Sequence, residues 1–140
     1  MLLLVLDTDV MFAAFDSPIG ASRRLVEMVL DGTAVMIASV ALFLEYEAVL
    51  TRPESLRRFD LSRADVTDVL DHLSTRIRPT GFDFRWRPAA ADPDDDLVLE
   101  TAVNGCADII ASFNIKDLRD PASRFGIDVE RPAVILRRFE

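Results

Sequence analysis

The chain has 140 residues and half of them are apolar, which is enough to build a hydrophobic core. This length predicts a single domain over residues 1–140, because a second core would be too small to be stable. The formal net charge of −8 argues against a protein that holds nucleic acid by a broad basic surface. It does not exclude an enzyme whose acidic residues are gathered in a metal site.

The single cysteine, Cys106, excludes an internal disulfide, and we expect it to be a small buried residue. The opening apolar run, from Met1 to Leu6, has no basic flank and meets Asp7 at once. It is too short for a signal peptide or a membrane span and is typical of a buried strand. We therefore expect a cytoplasmic protein with no membrane segment.

Apolar runs alternate with amphipathic stretches along the chain. The predicted elements are a strand ending at Asp7, a helix over 21–30 closed by Gly32, a strand over 33–38, a helix from the N-cap Ser39 to about Leu50, a short helix around Leu56, a helix opening at the capping box Ser62 to Asp65, a helix from Asp92 to about Asn104, a strand over 108–111, and a helix or strand over 132–139. The stretch 79–91 is the least regular, and its Phe82, Phe84 and Trp86 alternate as in an extended segment. The alternation of strands with helices predicts a three-layer α/β/α fold with a mainly parallel sheet.

Acidic residues follow the first predicted strand, and reactive groups of parallel sheets collect at strand carboxyl ends. Because side chains alternate along a strand, we expect Asp7 and Asp9 to point into one crevice. Two carboxylates so close together repel each other unless a cation lies between them, which favours a site over a turn or a helix cap. Glu45 has Leu42 and Val49 as helical neighbours, so it borders the core, although a solvated residue would explain it equally well.

A second acidic segment opens the helix predicted from Asp92. Asp92 as N-cap and Asp95 in the first turn suit the positive end of the helix dipole. Asp96 lies beyond that turn on a helix that is apolar nearly all round, where a carboxylate needs a partner. After the strand over 108–111, Asn114 is a candidate helix cap, and Asp117 is either a surface residue or another strand-end acid.

Four carboxylates, from Asp7, Glu45, Asp96 and Asp117, are expected at one edge of the sheet, with no histidine or cysteine beside them. Such an oxygen-only site suits Mg²⁺ or Mn²⁺ and does not suit zinc or copper. Ions held in this way activate water and stabilise the leaving oxygen of a phosphodiester. The sequence therefore predicts a metal-dependent phosphodiester hydrolase. His72, the only histidine, lies in a polar helix and is given no catalytic role.

Taken in order, these segments resemble the PIN-domain nucleases, in particular the VapC-like toxins of prokaryotic toxin–antitoxin pairs. The resemblance rests on Leu6-Asp7-Thr8-Asp9-Val10, Leu44-Glu45-Tyr46, Leu50-Thr51-Arg52-Pro53, Asp92-Pro93-Asp94-Asp95-Asp96, Ala107-Asp108-Ile109-Ile110-Ala111-Ser112 and Asn114-Ile115-Lys116-Asp117-Leu118.

The resemblance implies a single PIN-like domain that hydrolyses RNA with Mg²⁺ or Mn²⁺. It implies a site in which the metal is bound by Asp7, Glu45, Asp96 and Asp117, with Asp9, Asp94 and Asn114 lining it. It also implies a cognate antitoxin and a homodimer. Three positions depart from the family pattern: Asp9 replaces the usual asparagine, Phe113 stands where a small or polar residue is common, and Asn114 is often an aspartate.

Two other interpretations stay open at this point. The opening Asp7-Thr8-Asp9 also fits a phosphatase of the haloacid-dehalogenase type, although the only lysine, Lys116, follows the later acidic segment instead of preceding it. Alternatively, a PIN-like domain without turnover could act as a binding or regulatory partner. The candidate phosphate contacts are Arg23, Arg24, Arg57, Arg58, Arg85 and Arg87.

Overall fold

The computed structural model describes residues 2–80 and 93–139, with side chains from residue 97 onward in the second range. Its elements are β1 (Leu3–Leu6), α1 (Thr8–Asp16), α2 (Ala21–Leu30), β2 (Val35–Ala38), α3 (Val40–Leu50), α4 (Pro53–Phe59), α5 (Arg63–Ser74), β3 (Ile77–Pro79), α6 (Pro93–Asn104), β4 (Ile109–Ala111), α7 (Ile115–Ser123), β5 (Asp128–Glu130), α8 (Pro132–Leu136) and a final 3-10 turn (Arg137–Phe139). The alternation predicted for Phe82, Phe84 and Trp86 and the N-cap predicted at Asp92 lie outside the described residues.

The strands form one sheet in the order β3-β2-β1-β4-β5, and every neighbouring pair is parallel. The connections from β1 to β2 and from β2 to β3 cross the sheet in the same direction, so the right-handed rule for parallel crossovers places α1 to α5 on one face. The return to β4 and the step to β5 place α6 and α7 on the other face, where α6 packs against β1, β2 and β4. The predicted three-layer α/β/α fold is thereby confirmed.

This strand order creates a crevice between two neighbouring strands. The chain leaves β1 towards α1 in one helical layer, and it leaves the adjacent β4 towards α7 in the other layer. Ligands of open α/β sheets bind at such a switch point, outside the carboxyl ends of the strands. Leu6 and Ala111 are paired in the sheet. The residues that follow them therefore lie at this switch point.

Several predicted boundaries are confirmed. The helix over 21–30 is α2, Ser39 caps α3 through its hydroxyl, and the capping box of Ser62 with Asp65 opens α5. Val5 and Ile110, in the two central strands, are fully buried as predicted. No helix in the described parts of the chain combines the length and the apolar character needed to cross a membrane.

Three expectations are corrected. β1 ends at Leu6, and Asp7 is the N-cap of an unpredicted helix, α1, so strand alternation does not orient Asp7 and Asp9. Two short edge strands, β3 and β5, were not predicted, and β3 includes Pro79 from the stretch expected to be irregular. Cys106 is exposed, because it follows α6 in a left-handed turn with φ of 53° instead of packing into the core.

The capping box of α5 gives a test of local stability. The Ser62 hydroxyl accepts the Asp65 N–H at 3.1 Å, and the Asp65 carboxylate accepts the Ser62 N–H at 2.9 Å. We expect Ser62→Ala to lower the free energy of unfolding by about 1 kcal/mol, measured by urea denaturation. Ser62→Asp keeps an acceptor and should stay close to wild type; an equal loss in both variants would contradict the capping role.

Candidate metal centre

Asp7 stands at the junction of β1 and α1 and reaches across to the end of β4. Its N–H donates to the Ala111 carbonyl at 2.9 Å, which continues the pairing of the two strands by one residue. One carboxylate oxygen accepts the Thr8 N–H at 2.8 Å, and the other accepts the Ser112 hydroxyl at 2.6 Å. The Ser112 hydroxyl in turn accepts the Asn114 N–H at 2.9 Å. The Asp7 carboxylate is therefore held in the crevice between the two strands.

Asp9 points to the same loop from the first turn of α1. Its Oδ2 accepts the Phe113 N–H at 3.0 Å. The expectation that Asp7 and Asp9 face one crevice thus agrees with the structure, but for a different reason. A helix N-terminus, and not an extended strand, presents both side chains to the loop after β4.

Glu45 approaches from α3 and is half-buried. Its Oε2 accepts the Thr8 hydroxyl in a short hydrogen bond, so the residue between Asp7 and Asp9 fixes the glutamate of another helix. A carboxylate held in this way is not the solvated side chain that the sequence left as an alternative. Thr8 therefore links Glu45 to the end of β1.

Tyr46 is a buried side chain that connects α3 with the end of β1. It is fully buried, and its hydroxyl donates to the Leu6 carbonyl in a short hydrogen bond. Burial raises the pKa of this hydroxyl well above its ordinary value, and the negative charges of Asp7 and Glu45 raise it further. The Tyr46 hydroxyl thus joins α3, next to Glu45, to the end of β1, next to Asp7.

The first turn of α6 projects beyond the same edge of the sheet. The Thr101 hydroxyl lies 2.9 Å from that of Ser39, at the carboxyl end of β2. Near the other end of α6, a Cβ on Gly105 would lie 2.6 Å from Ile37, so the helix packs closely on β2. Residue 96 precedes Thr101 by five residues, or about 7.5 Å along the helix. The side chains of Asp94 and Asp96 lie outside the described residues.

Asn114 and Asp117 follow β4. Asn114 occupies the N-cap position of α7, but its side chain makes no capping hydrogen bond, so the predicted cap is wrong in that respect. Asp117 lies in the first turn of α7 and is exposed. This turn is at the carboxyl edge of the sheet, and the grouping of Asp117 with Asp7 and Glu45 stays a prediction.

Within residues 2–80 and 97–139, no three His, Cys, Asp or Glu side chains are arranged to hold a metal ion. The full set of four carboxylates includes Asp96, whose side chain is outside those ranges. The donors that are placed fit an oxygen-only site. His72 and Cys106 stand where α5 and α6 lead into the amino ends of β3 and β4, at the opposite edge of the sheet. Neither residue therefore adjoins the crevice.

No functional role was predicted for Ser112, Thr8 or Tyr46. Each acts through a hydrogen bond to a residue at least 37 positions away, and no local pattern reveals such a partner. The one usable signal was the position of Ser112, directly after a buried strand.

The crevice, its carboxylates and the parallel sheet define an α/β domain with an acidic site at a topological switch point. The sequence model of the PIN domain family matches residues 3–116, and the chain belongs to this family of nucleases. The fold is similar to that in the crystal structure of VapBC2 from Rickettsia felis bound to a DNA fragment from their promoter, with a TM-score of 0.58 and 13% sequence identity. That match covers 93% of this chain and 98% of the other. No curated protein sequence matches the chain significantly.

Proposed function

We propose that this protein is an endoribonuclease that depends on Mg²⁺ or Mn²⁺. The observation that carries the proposal is the position of Asp7 and Asp9 in a PIN domain, beside the loop after β4, where Ser112 and Phe113 donate to them. Glu45 accepts the hydroxyl of Thr8, the residue between them. Membership of the PIN family also removes the main support for a phosphatase of the haloacid-dehalogenase type.

The proposed metal ligands are Asp7, Glu45, Asp96 and Asp117, and Asp9, Asp94 and Asn114 are proposed to line the site. Carboxylate oxygens are the ligands that Mg²⁺ and Mn²⁺ prefer. A bound ion supplies activation of water and neutralisation of charge on the leaving oxygen of the phosphodiester. Ser112 and Thr8 are proposed to orient Asp7 and Glu45, since each hydroxyl donates to one carboxylate oxygen.

The proposed partner is a cognate antitoxin, and the proposed assembly is a homodimer. Support comes from the likeness of the fold to a protein solved as VapBC2 together with promoter DNA. Light scattering on the purified chain would report the dimer. Co-purification with the product of an adjacent small gene would report the antitoxin, and a monomer that copurifies with nothing would count against both.

Metal binding gives a direct test. We expect Mn²⁺ at about 100 times its Kd to stabilise the folded protein by about 2.7 kcal/mol, because the ion binds the folded state only. For a domain of this size that stabilisation raises Tm by about 5 to 10 °C, measured by thermal melting. Asp96→Asn removes a proposed ligand and should give a smaller rise.

Asp71→Asn is the matched control. Asp71 is exposed near the end of α5 that leads to the amino end of β3, so the same loss of charge occurs at the opposite edge of the sheet. It should keep the full rise. An absent rise in wild type with either ion would favour the binding or regulatory domain over the nuclease. Cleavage of a mixed RNA pool with Mn²⁺ then tests the activity itself.

A further inference from the structure

An exposed aromatic side chain stands beside the acidic crevice. Phe113 has 45% of its surface exposed, although it lies between Ser112, which holds Asp7, and Asn114. Its backbone is fixed, because its N–H donates to Asp9. An aromatic ring that is open to solvent offers a face on which an unpaired base stacks.

Two basic residues lie on the same side of the crevice. The Ser112 N–H donates to the Glu130 carbonyl at 3.1 Å, so the carboxyl end of β5 adjoins that of β4. Arg131 follows Glu130 directly and is exposed. Lys116 lies in the first turn of α7, three residues after Phe113, and is also exposed. Neither cation takes part in the ion pairs of the described side chains.

Several other bases of the chain already have partners. Of the six bases in residues 116–139, Arg119 pairs with Glu130 and Arg138 pairs with Asp128. Arg23 and Arg58, predicted as phosphate contacts, are engaged elsewhere: Arg23 donates to the Ala14 carbonyl, and Arg58 pairs with Asp16. Arg85 and Arg87 lie outside the described residues.

We propose that Phe113, Lys116 and Arg131 form a β4–β5 surface that binds single-stranded RNA next to the scissile bond. Phe113 stacks one base, and Lys116 and Arg131 contact backbone phosphates. The substrate must be unpaired here, because a base within a duplex does not present its face. This inference rests on the proposed ribonuclease function, and it adds the part of the substrate that lies outside the metal centre.

Stacking and phosphate contacts leave different signatures, which makes the surface testable. Binding would be measured by fluorescence anisotropy, with a short labelled single-stranded RNA and Mn²⁺ at a series of KCl concentrations. Asp7→Asn protein serves as the parent so that the RNA is not cut. We expect Phe113→Ala to weaken binding by about five- to 150-fold without changing its salt dependence.

Substitution of the two basic residues should change the salt dependence of binding. Lys116→Gln and Arg131→Gln should each lower the slope of log affinity against log salt by about 0.7, the value for one phosphate contact to a single strand. Arg76→Gln is the matched control, because Arg76 is exposed and directly precedes β3, at the amino edge of the sheet. The slope of log affinity against log salt for Arg76→Gln should equal that of the Asp7→Asn parent.

The possible outcomes test the β4–β5 surface and the proposed ribonuclease function separately. Unchanged affinity in Phe113→Ala, or an equal change of slope in Arg76→Gln and Arg131→Gln, would overturn the β4–β5 surface even if the wild type cuts RNA. RNA binding with the expected signatures, in a protein that cuts no RNA, would support the surface and overturn the nuclease. Melting curves of all variants confirm that each remains folded.

Discussion

Asp7→Asn is expected to lower the rate of RNA cleavage by at least about a hundredfold. Loss of a group that only orients a metal ligand typically costs 10- to 100-fold, so loss of a proposed ligand should cost at least the upper value. Asn is as good an N-cap as Asp, because its amide oxygen can accept the Thr8 N–H while its amide NH2 donates to the Ser112 hydroxyl oxygen. The substitution therefore removes the charge and leaves the start of α1 intact.

The measurement is initial cleavage rate with Mn²⁺ in excess, together with the rise in Tm that Mn²⁺ produces. Both should fall in Asp7→Asn, while the Tm without metal stays near that of wild type. Asp16→Asn is a useful control, since Asp16 lies at the far end of α1 and pairs with the exposed Arg58. Cleavage that survives in Asp7→Asn would point to a contaminating nuclease and would remove Asp7 from the site.

The carboxylates of the crevice were predictable because their positions follow from a rule about strand ends. Asp7 comes directly after a fully apolar run, and a parallel sheet brings the carboxyl ends of its strands to one edge. Glu45 needed the fold, because only the contact with Thr8 separates a held carboxylate from a solvated one.

The predictions that proved wrong also have specific physical causes. The run from Val10 to Phe15 is apolar throughout, and such a run does not distinguish a strand from a buried helix; α1 was missed for that reason. β5 has three residues, and only Val129 among them is buried. The strand is therefore too short to show a repeating alternation of apolar and polar residues. Cys106 is exposed because the turn after α6 turns it outward, which its residue type does not reveal.

Tyr46→Phe is expected to lower the free energy of unfolding by about 1–3 kcal/mol, the cost of a buried acceptor left without its donor. β1 pairs with β2 only at Leu3 and Leu4, whereas it pairs with β4 as far as Leu6. The Leu6 carbonyl thus lies where the sheet opens, and it accepts the Tyr46 hydroxyl. Urea denaturation of the variant and of wild type measures the loss.

The same hydrogen bond sets the position of the site, because Leu6 precedes Asp7 and Tyr46 follows Glu45. We therefore expect Tyr46→Phe to reduce the Mn²⁺-dependent rise in Tm as well. Ile135→Val, in α8, is a control that costs about 0.5–1.5 kcal/mol and should keep the full rise. A full rise in Tyr46→Phe would confine Tyr46 to a structural role.

The stabilisation contributed by the Tyr46 hydroxyl should decrease at high pH. Because the pKa of Tyr46 is raised in the folded protein, folding favours the protonated hydroxyl. Its contribution is complete below about pH 10, the ordinary tyrosine pKa, and is lost as the pH rises through the folded value. Wild type should therefore lose stability above about pH 10 in urea titrations, and Tyr46→Phe should lose less. Equal losses would show that the hydroxyl ionises as readily in the folded chain as in the unfolded one.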